Sequence, residues 1–200
     1  MRILIIGGSG TIGENVAEAL APRHEVIIAS RSSAKHQVDL TFPRSIKHLY
    51  ETIGPLDACI STTAAGAPDN FARLTEEDLL DNMKGKLFGQ INLVLTGQRY
   101  LKEGGSFTLT SSIFADRHAR GATGRAIINA ALHSFVATAS LELPKGQRIN
   151  VVSPGPVTDS MEEFSRFFPE IKPVPMEKIV HAYVESVEGN MSGQVFRVYE

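Results

Sequence analysis

Apolar residues along this chain fall into two alternating patterns. Short runs of strand length, rich in Ile and Val, are separated by longer segments in which apolar positions recur at helical spacing. The runs are RILII, EVIIA and DACIS, then residues 106–110, 148–152 and 194–198. The segments between them predict helices over residues 11–21, 43–53, 76–100, 124–143 and 176–188. Thr75 and Asp78 form a capping-box pair at the start of the third helix, and Gly189 follows the last one.

This alternation of strands and helices predicts the fold class. Parallel strands need crossover connections, and a strand without polar alternation is buried on both faces. We therefore expect an α/β fold with a doubly wound parallel sheet, a Rossmann fold of about seven strands with helices on both faces. The extra strand is a short one closed by Asp39 and Leu40. Because the sequence contains no internal repeat or linker, we expect a single domain over residues 1–200.

Composition narrows the partners and the compartment. Lys and Arg number 20 against 22 acidic residues, for a net charge of -2, so no global positive field would hold nucleic acid or an anionic membrane. No run of 18 apolar residues and no signal peptide is visible. The single cysteine, Cys59, lies in an apolar run and suits a reducing compartment. We expect a cytoplasmic protein without nucleic-acid or membrane partners, and the scattered histidines predict no metal site.

A glycine turn follows the first predicted strand. Gly7, Gly10 and Gly13 recur at three-residue spacing before the first helix. Glycine allows a positive φ and a close approach of backbone to a pyrophosphate, and a helix N-terminus offers unpaired amides. We predict that a dinucleotide binds here, although a tight turn without a ligand would have the same pattern. The residues that would hold it are Gly7, Ser9, Gly10, Thr11, Ile12 and Gly13.

The end of the second strand indicates which dinucleotide binds. A carboxylate about 20 residues beyond the glycines would accept hydrogen bonds from the ribose hydroxyls of NAD. The sequence there is ASRSS, so Arg31 can pair with a 2′-phosphate and Ser32 can donate to it. NADP (NADPH) is therefore favoured over NAD, unless Arg31 is an ordinary loop arginine. Asp39 and Leu40 can bracket the adenine, or can simply end a strand.

Together these motifs resemble the short-chain dehydrogenase/reductase family over essentially the whole chain. The glycine turn and Asp39-Leu40 match its cofactor motifs, STTAAG resembles the loop after its fourth strand, and INVVSPGPV resembles the segment that lines the nicotinamide. The resemblance implies hydride transfer between nicotinamide and a carbonyl or alcohol. It also implies further cofactor contacts from Thr63, Ala64, Pro154, Gly155 and Val157.

The same resemblance assigns the catalytic positions. The asparagine of the family's long helix falls on Asn82, and the serine that polarises the carbonyl falls on Ser112. The proton-donating tyrosine falls on Arg125, and the lysine four residues later, which lowers the tyrosine pKa, falls on Asn129. Neither tyrosine nor lysine occurs anywhere between positions 113 and 143. The chain therefore resembles an atypical member that lacks the tyrosine–lysine dyad.

Part of the family's chemistry can survive these replacements. Arginine, with a pKa above ~12, can donate hydrogen bonds to a developing alkoxide but is a poor source of the proton. Asn129 can hold ribose hydroxyls but brings no charge. We expect His118 to supply the proton, since a histidine has an ordinary pKa near ~6.5.

Two functions remain open. The first is an NADP(H)-dependent oxidoreductase that acts on a small carbonyl or alcohol compound through a modified proton-delivery site. The second is a non-catalytic NADP(H)-binding sensor or scaffold, and an isomerase or lyase is a more remote third. A basic rim would attract an anionic substrate in the first case, or is merely a solvated loop. Its members are Arg117, His118, Arg120 and Arg125.

Two further expectations concern assembly and the substrate cover. The long helices over 76–100 and 124–143 form the usual subunit interface of the family and carry apolar residues on more than one face, so we expect a homodimer or homotetramer. A short apolar lid is expected after the strand at 148–152. It would contain Met161, Phe164, Phe167 and Phe168.

Overall fold

Six parallel strands form the centre of the molecule. The computed structural model describes residues 1–33, 35–63, 69–158, 161–165 and 168–199, and in it the strands are ordered β2-β1-β3-β4-β5-β6. The strands are β1 (Arg2–Ile6), β2 (Glu25–Ala29), β3 (Leu56–Ser61), β4 (Leu101–Thr110), β5 (Arg148–Pro154) and β6 (Val195–Val198). The predicted doubly wound parallel sheet is confirmed.

Helices join these strands. They are α1 (Thr11–Leu20), α2 (Pro43–Ile53), α3 (Glu76–Met83), α4 (Gly89–Gly97), α5 (Thr123–Ala139), α6 (Met161–Phe164) and α7 (Met176–Glu188). The capping box of Thr75 and Asp78 starts α3 as predicted. The prediction of one regular helix over 76–100 is wrong, because a π-helical turn, Lys84–Phe88, separates α3 from α4. Such turns inside helices occur frequently at functional sites.

The prediction of an additional strand near Asp39 is also wrong. This segment contributes a single parallel bridge between Ser30 and Gln37, beside which the Val38 amide donates to the Ser30 carbonyl (3.1 Å). The amide and hydroxyl of Thr41 then donate to the Asp39 carboxylate over 2.9 and 2.7 Å. Because this local turn directs the chain into α2, the segment does not continue along β2.

Helices cover both faces of the sheet. Since alternate residues of a strand point to opposite faces, Leu4 and Ile6 join a core shared with α2, α4 and α5, whereas Ile3 and Ile5 join one shared with α1 and α7. From β1 the chain runs outward to β2 and then crosses to β3 on the other side. Sheets of this kind bind ligands at the carboxyl ends of the strands where the order reverses. The fold therefore points to the crevice at the ends of β1 and β3.

The helices are short. α5 has 17 residues, and in the described part of the chain no helix combines the length and the apolar character needed to cross a bilayer.

Candidate active site

The glycine turn after β1 is too tightly packed for side chains at two of its three glycines. Gly7 has a φ of 81°, in the left-handed region that favours glycine. A Cβ on Gly13 would lie 2.3 Å from the Gly7 carbonyl oxygen and 2.7 Å from the Gly8 Cα. A Cβ on Gly10 would meet only the Gly7 oxygen, at 3.4 Å. Gly7 and Gly13 therefore build the turn, and Gly10 leaves its outer side open.

α1 begins at this turn with unused hydrogen-bond donors. Its N-cap, Gly10, provides no side-chain cap, and the amides of Thr11, Ile12 and Gly13 have no acceptor among the described residues. Ser9 and Thr11 are exposed. Uncapped amides at the positive end of a helix suit an anion. The turn therefore fits the phosphates of a dinucleotide.

The edge of the sheet beside β2 is basic. Arg31 and Ser32 are exposed, and Arg31 lines a cavity of about 460 Å³ together with Lys35, His36, Asp39 and His48. The hydrogen bonds from Thr41 hold the pKa of the Asp39 carboxyl below its ordinary value, so this carboxylate is charged at neutral pH. Leu40 is 8% exposed. The roles of these residues toward adenine and a 2′-phosphate stay predictions.

Beyond β3 the chain passes against the glycine turn. The amide and hydroxyl of Thr62 both donate to the Ile6 carbonyl, over 2.9 and 3.1 Å, and a Cβ on Gly7 would lie 2.9 Å from that hydroxyl. Thr63 follows, with its hydroxyl 3.1 Å from the hydroxyl of Ser61. Ala64, the other predicted cofactor contact of this loop, lies outside the described residues. Thr63 is thus brought beside the glycine turn.

β4 is followed by two serines in different environments. Ser111 is buried, and its hydroxyl is hydrogen-bonded to His133 Nε2 at 2.8 Å. Ser112 is half-buried, and its hydroxyl accepts a long hydrogen bond of 3.4 Å from the Phe114 amide. A serine hydroxyl that only accepts keeps its own proton for donation. Ser112 is therefore the hydroxyl available to a ligand at this strand end.

α5 carries the residues that replace the dyad. Asn129 is fully buried, its side-chain nitrogen donates to the Arg125 carbonyl (2.7 Å), and its Oδ1 has no hydrogen-bond partner in the described structure. The guanidinium carbon of Arg125 lies 5.7 Å from the ring centroid of Phe114 and 5.6 Å from that of Phe168. Stacking against two aromatic rings holds this cation beside the turn that follows Ser112.

His118 belongs to a basic cavity next to this turn. The cavity measures about 590 Å³ and is lined by Ile113 and Phe168. Its ionisable lining residues are Arg117, His118, Arg120, Glu170 and Lys172. Because cations outnumber the single carboxylate, the cavity attracts anions. His118 is exposed, and no hydrogen bond joins it to Ser112 among the described residues.

The residues predicted to line the nicotinamide after β5 are buried. Pro154 ends the strand and pairs with Val198 of β6, whose carbonyl accepts from the Gly155 amide (2.9 Å). Val157 forms an isolated bridge with Val174. A Cβ on Gly155 would lie 3.0 Å from a Val174 methyl, so this exit from β5 is closely packed.

An aromatic cluster stands where the apolar lid was expected. The ring centroids of Phe114, Phe164 and Phe168 lie 4.6 to 5.8 Å apart. The segment after β5 therefore packs on the residue two positions beyond Ser112. Phe167 of the predicted lid lies outside the described residues.

Asn82 and a lysine that sequence reasoning missed lie four residues apart. Asn82 is half-buried on α3 and makes no side-chain hydrogen bond to a described residue. Lys86 is 5% exposed, and its Nζ donates to the carbonyl oxygen of Thr63. Burial lowers the pKa of Lys86 to about 7. Because helix lysines are usually solvated, nothing in the local sequence KGKLF marks this one as buried.

Comparisons with known proteins show the family of this chain. A family model described as enoyl-(acyl carrier protein) reductase matches residues 10–184. The structure also superposes on a small-chain dehydrogenase in complex with NADPH, with a TM-score of 0.88, 27% identity, and coverage of 100% of this chain and 96% of that one. The chain belongs to the short-chain dehydrogenase/reductase family. It therefore belongs to a family of oxidoreductases.

Two other proteins are similar to this short-chain dehydrogenase/reductase. The protein lin1944 from Listeria innocua is 40% identical, has a TM-score of 0.95, and each chain covers 100% of the other. A glucose and ribitol dehydrogenase homologue from Arabidopsis thaliana is 28% identical over 157 residues, which are 74% of this chain and 53% of that protein. The chain thus spans about half the length of this curated relative.

Proposed function

We propose that this member of the family is an NADPH-dependent oxidoreductase for a small, anionic carbonyl or alcohol compound. The open side of Gly10 beside the uncapped amides of Thr11 and Ile12 is the observation that carries the proposal. Arg31 favours NADPH over NADH because a guanidinium pairs with a 2′-phosphate. When bound, NADPH supplies a hydride to the carbonyl carbon.

The side chains beyond the glycine turn have separate roles toward the substrate and the nicotinamide ribose. Ser112 donates to the carbonyl oxygen and polarises it, and Arg125 stabilises the negative charge that develops there. Asn129 accepts a hydrogen bond from a ribose hydroxyl at its unpaired Oδ1, because a buried acceptor without a donor is costly. The basic cavity that His118 lines receives the charged end of the substrate, while Thr63 and the residues after β5 line the nicotinamide end.

The basic cavity supports an anionic substrate. Arg117 and Arg120 face it together with Lys172, and a carboxylate on the substrate would be drawn to these cations. The aromatic cluster at Phe168 forms the neighbouring apolar wall. This combination suits a compact carbonyl compound with one charged end.

Calorimetry and a carbonyl panel test the proposal. Purified protein is titrated with NADPH and NADH, and we expect NADPH to bind at least about tenfold more tightly. NADPH consumption is then followed with oxo acids and with neutral ketones of the same size, and the oxo acids should react faster. Arg120→Gln should raise KM for oxo acids without changing that for neutral ketones, and Arg99→Gln, an exposed arginine of another surface, is the matched control. Absence of binding of either dinucleotide would refute the proposal.

A non-catalytic NADPH sensor is the second candidate. It is favoured by the absence of the dyad and by Asn129 and Arg125, which are engaged with each other and with aromatic rings. Its signature is stoichiometric NADPH binding without consumption across aldehydes, ketones, quinones and oxo acids. In that case Arg125→Tyr combined with Asn129→Lys should introduce reductase activity.

We also propose that the protein acts as a homodimer or homotetramer in the cytoplasm. Phe88 and Leu95 near and on α4, and Ile127 on α5, are 42 to 52% exposed. Apolar side chains of this size on two neighbouring helices support burial by a second copy. Sedimentation velocity measures the assembly directly, and a monomer at all concentrations would contradict it.

A further inference from the structure

Two lysines of the π-helical turn have opposite environments. Lys84 is exposed, and its Nζ lies 2.6 Å from an oxygen of Asp81. Lys86, two residues later, is almost completely buried and reaches the carbonyl oxygen of Thr63. A charged side chain is rarely buried without a partner of opposite charge. Lys86 therefore calls for an explanation that Lys84 does not.

A side chain of α4 fixes this turn to the end of β4. The Gln90 side-chain nitrogen donates to the carbonyls of Lys86 (2.9 Å) and Thr110 (3.0 Å), and the Thr110 amide donates back to the Gln90 oxygen (2.8 Å). Thr110 precedes Ser112 by two residues. The backbone of Lys86 is thus held in a fixed relation to the strand end that carries Ser112.

The other end of the Lys86 side chain reaches the glycine turn. Its acceptor, Thr63, follows Thr62, whose amide and hydroxyl bond to the last residue of β1. Thr62 and Thr63 thus lie at the crevice at the carboxyl ends of β1 and β3, where the strand order reverses. The ammonium therefore lies at the carboxyl edge of the sheet, against the segment that follows β3.

The surroundings offer this ammonium little electrostatic support. α4 carries no charged residue, the acidic residues of α3 are all exposed, α5 contributes Arg125 and His133, and Asp39 in the neighbouring loop is bonded to Thr41. Burial is what lowers the pKa of Lys86, to about 7. An amine with such a pKa exchanges a proton near neutrality, whereas an ordinary lysine does not.

Among the described residues Lys86 donates to a single acceptor, although an ammonium has three protons. α5, which packs against the same turn, carries the buried Asn129 Oδ1 that lacks a donor. Unused donors and an unused acceptor therefore occur on elements in contact. A bound ligand with hydroxyl and carbonyl oxygens would offer an acceptor to the ammonium and a donor to the amide oxygen.

We infer that Lys86 holds the proton that the substrate oxygen receives, in place of the missing tyrosine–lysine dyad. This rests on the proposed function. As the carbonyl carbon gains the hydride of NADPH, the π electron pair of the C=O bond moves to the oxygen, and that oxygen takes a proton from Nζ. Lys86 is left as the neutral amine and regains a proton from water. NADPH is oxidised and the carbonyl compound is reduced to the alcohol.

Other side chains suit this role less well. Arg125 holds its proton too strongly. His118 is exposed and is not bonded to Ser112, whereas the Lys86 backbone is tied by Gln90 to the strand before Ser112.

The first test measures the titration of Lys86 without any substrate. In protein labelled at the lysine Cε, one resonance should titrate near pH 7, and it should disappear in Lys86→Met and Lys86→Arg but persist in Lys84→Met. Lys86→Arg keeps a cation, so it controls for loss of folding in the methionine variant. If every lysine titrates in the ordinary range near ~10.4, or if the neutral titration survives in both Lys86 variants, the inference is overturned.

The second test separates this inference from the proposed function. With the best substrate of the carbonyl panel, we expect kcat of Lys86→Met and Lys86→Arg to fall by about a hundredfold, the usual scale of general-acid catalysis, and the NADPH Kd to change far less. The wild-type rate of reduction should decline as pH rises above 7, and Lys84→Met should keep that profile. Wild-type turnover with undiminished Lys86 variants overturns the role of Lys86 alone. No turnover by the wild type overturns the proposed function, and the proton role with it.

Discussion

Gly10→Ala is the sharpest test of the proposed role of the glycine turn in binding NADPH. The added methyl group meets only the Gly7 oxygen, at 3.4 Å, and the φ of −95° at Gly10 is open to any residue. The fold therefore tolerates the change. The methyl group nevertheless occupies the outer side of the turn, where the proposed function places a phosphate against the amides of Thr11 and Ile12.

The magnitude follows from the hydrogen bonds that are at stake. A hydrogen bond to a charged group contributes about 1.5–3 kcal/mol, so displacing the phosphate from one amide should weaken NADPH binding by about tenfold to a hundredfold. The cost in stability is smaller. Alanine is a poorer N-cap than glycine by about 1 kcal/mol or less, which for this chain length lowers Tm by about 2–4 °C.

Isothermal titration with NADPH and thermal unfolding of the free protein measure these two effects separately. Gly13→Ala is the contrasting variant, because its Cβ would lie 2.3 Å from the Gly7 oxygen, and we expect it to unfold at a much lower temperature or to fail to fold. If Gly10→Ala binds NADPH within about twofold of the wild type, the phosphates do not lie at this turn and the argument is wrong.

Three further outcomes are expected. Arg31→Gln should weaken NADPH binding by about tenfold and leave NADH binding unchanged. Calorimetry measures both affinities, with Arg99→Gln as control. Equal losses of affinity for the two dinucleotides would contradict the 2′-phosphate contact. Ser112→Ala should lower kcat by about a hundredfold at unchanged NADPH affinity. Ser111→Ala should instead lower the free energy of unfolding in urea by about 1 kcal/mol, because its hydrogen bond to His133 is lost. A loss of kcat in Ser111→Ala and a loss of stability in Ser112→Ala would exchange the roles of the two serines. Lys86→Met should remove a pH dependence of stability. Because the pKa of Lys86 is about 7 in the folded state and 10.5 in the unfolded state, the unfolded chain binds more protons between these values, and the free energy of unfolding of the wild type should rise by about 2 kcal/mol relative to the variant between pH 7 and pH 9. Urea unfolding measures this difference, and parallel curves of stability against pH would show that Lys86 is not buried.

The architecture was predictable because its signals are local. Short apolar runs such as RILII are typical of strands of a sheet covered on both faces, and the glycine spacing is typical of a tight turn that needs a positive φ. The strand predicted at Asp39 failed because Thr41 bonds the carboxylate and turns the chain. A pair of side chains two residues apart there outweighed the apolar pattern of Val38 and Leu40.

The candidate site was only partly predictable, because accessibility within it depends on packing. The sequence alone shows two adjacent serines, and only the hydrogen bond between Ser111 and His133 on α5 distinguishes Ser111 from Ser112. Likewise, the sequence left open whether Arg125 belongs to a basic rim or is merely solvated, whereas Phe114 and Phe168 from two other segments stack against it.

By itself, the amino-acid sequence determined the parallel sheet, the glycine turn after β1 and the absence of a tyrosine–lysine dyad on α5, since each of these is a matter of residue type and short-range spacing. The tertiary structure alone decided that the helix after Thr75 contains a π-helical turn and that Lys86 is buried against Thr63 while Lys84 stays in water. The physical reason is that burial, and the pKa that burial sets, arise where α4, β3 and β4 come together from distant parts of the chain.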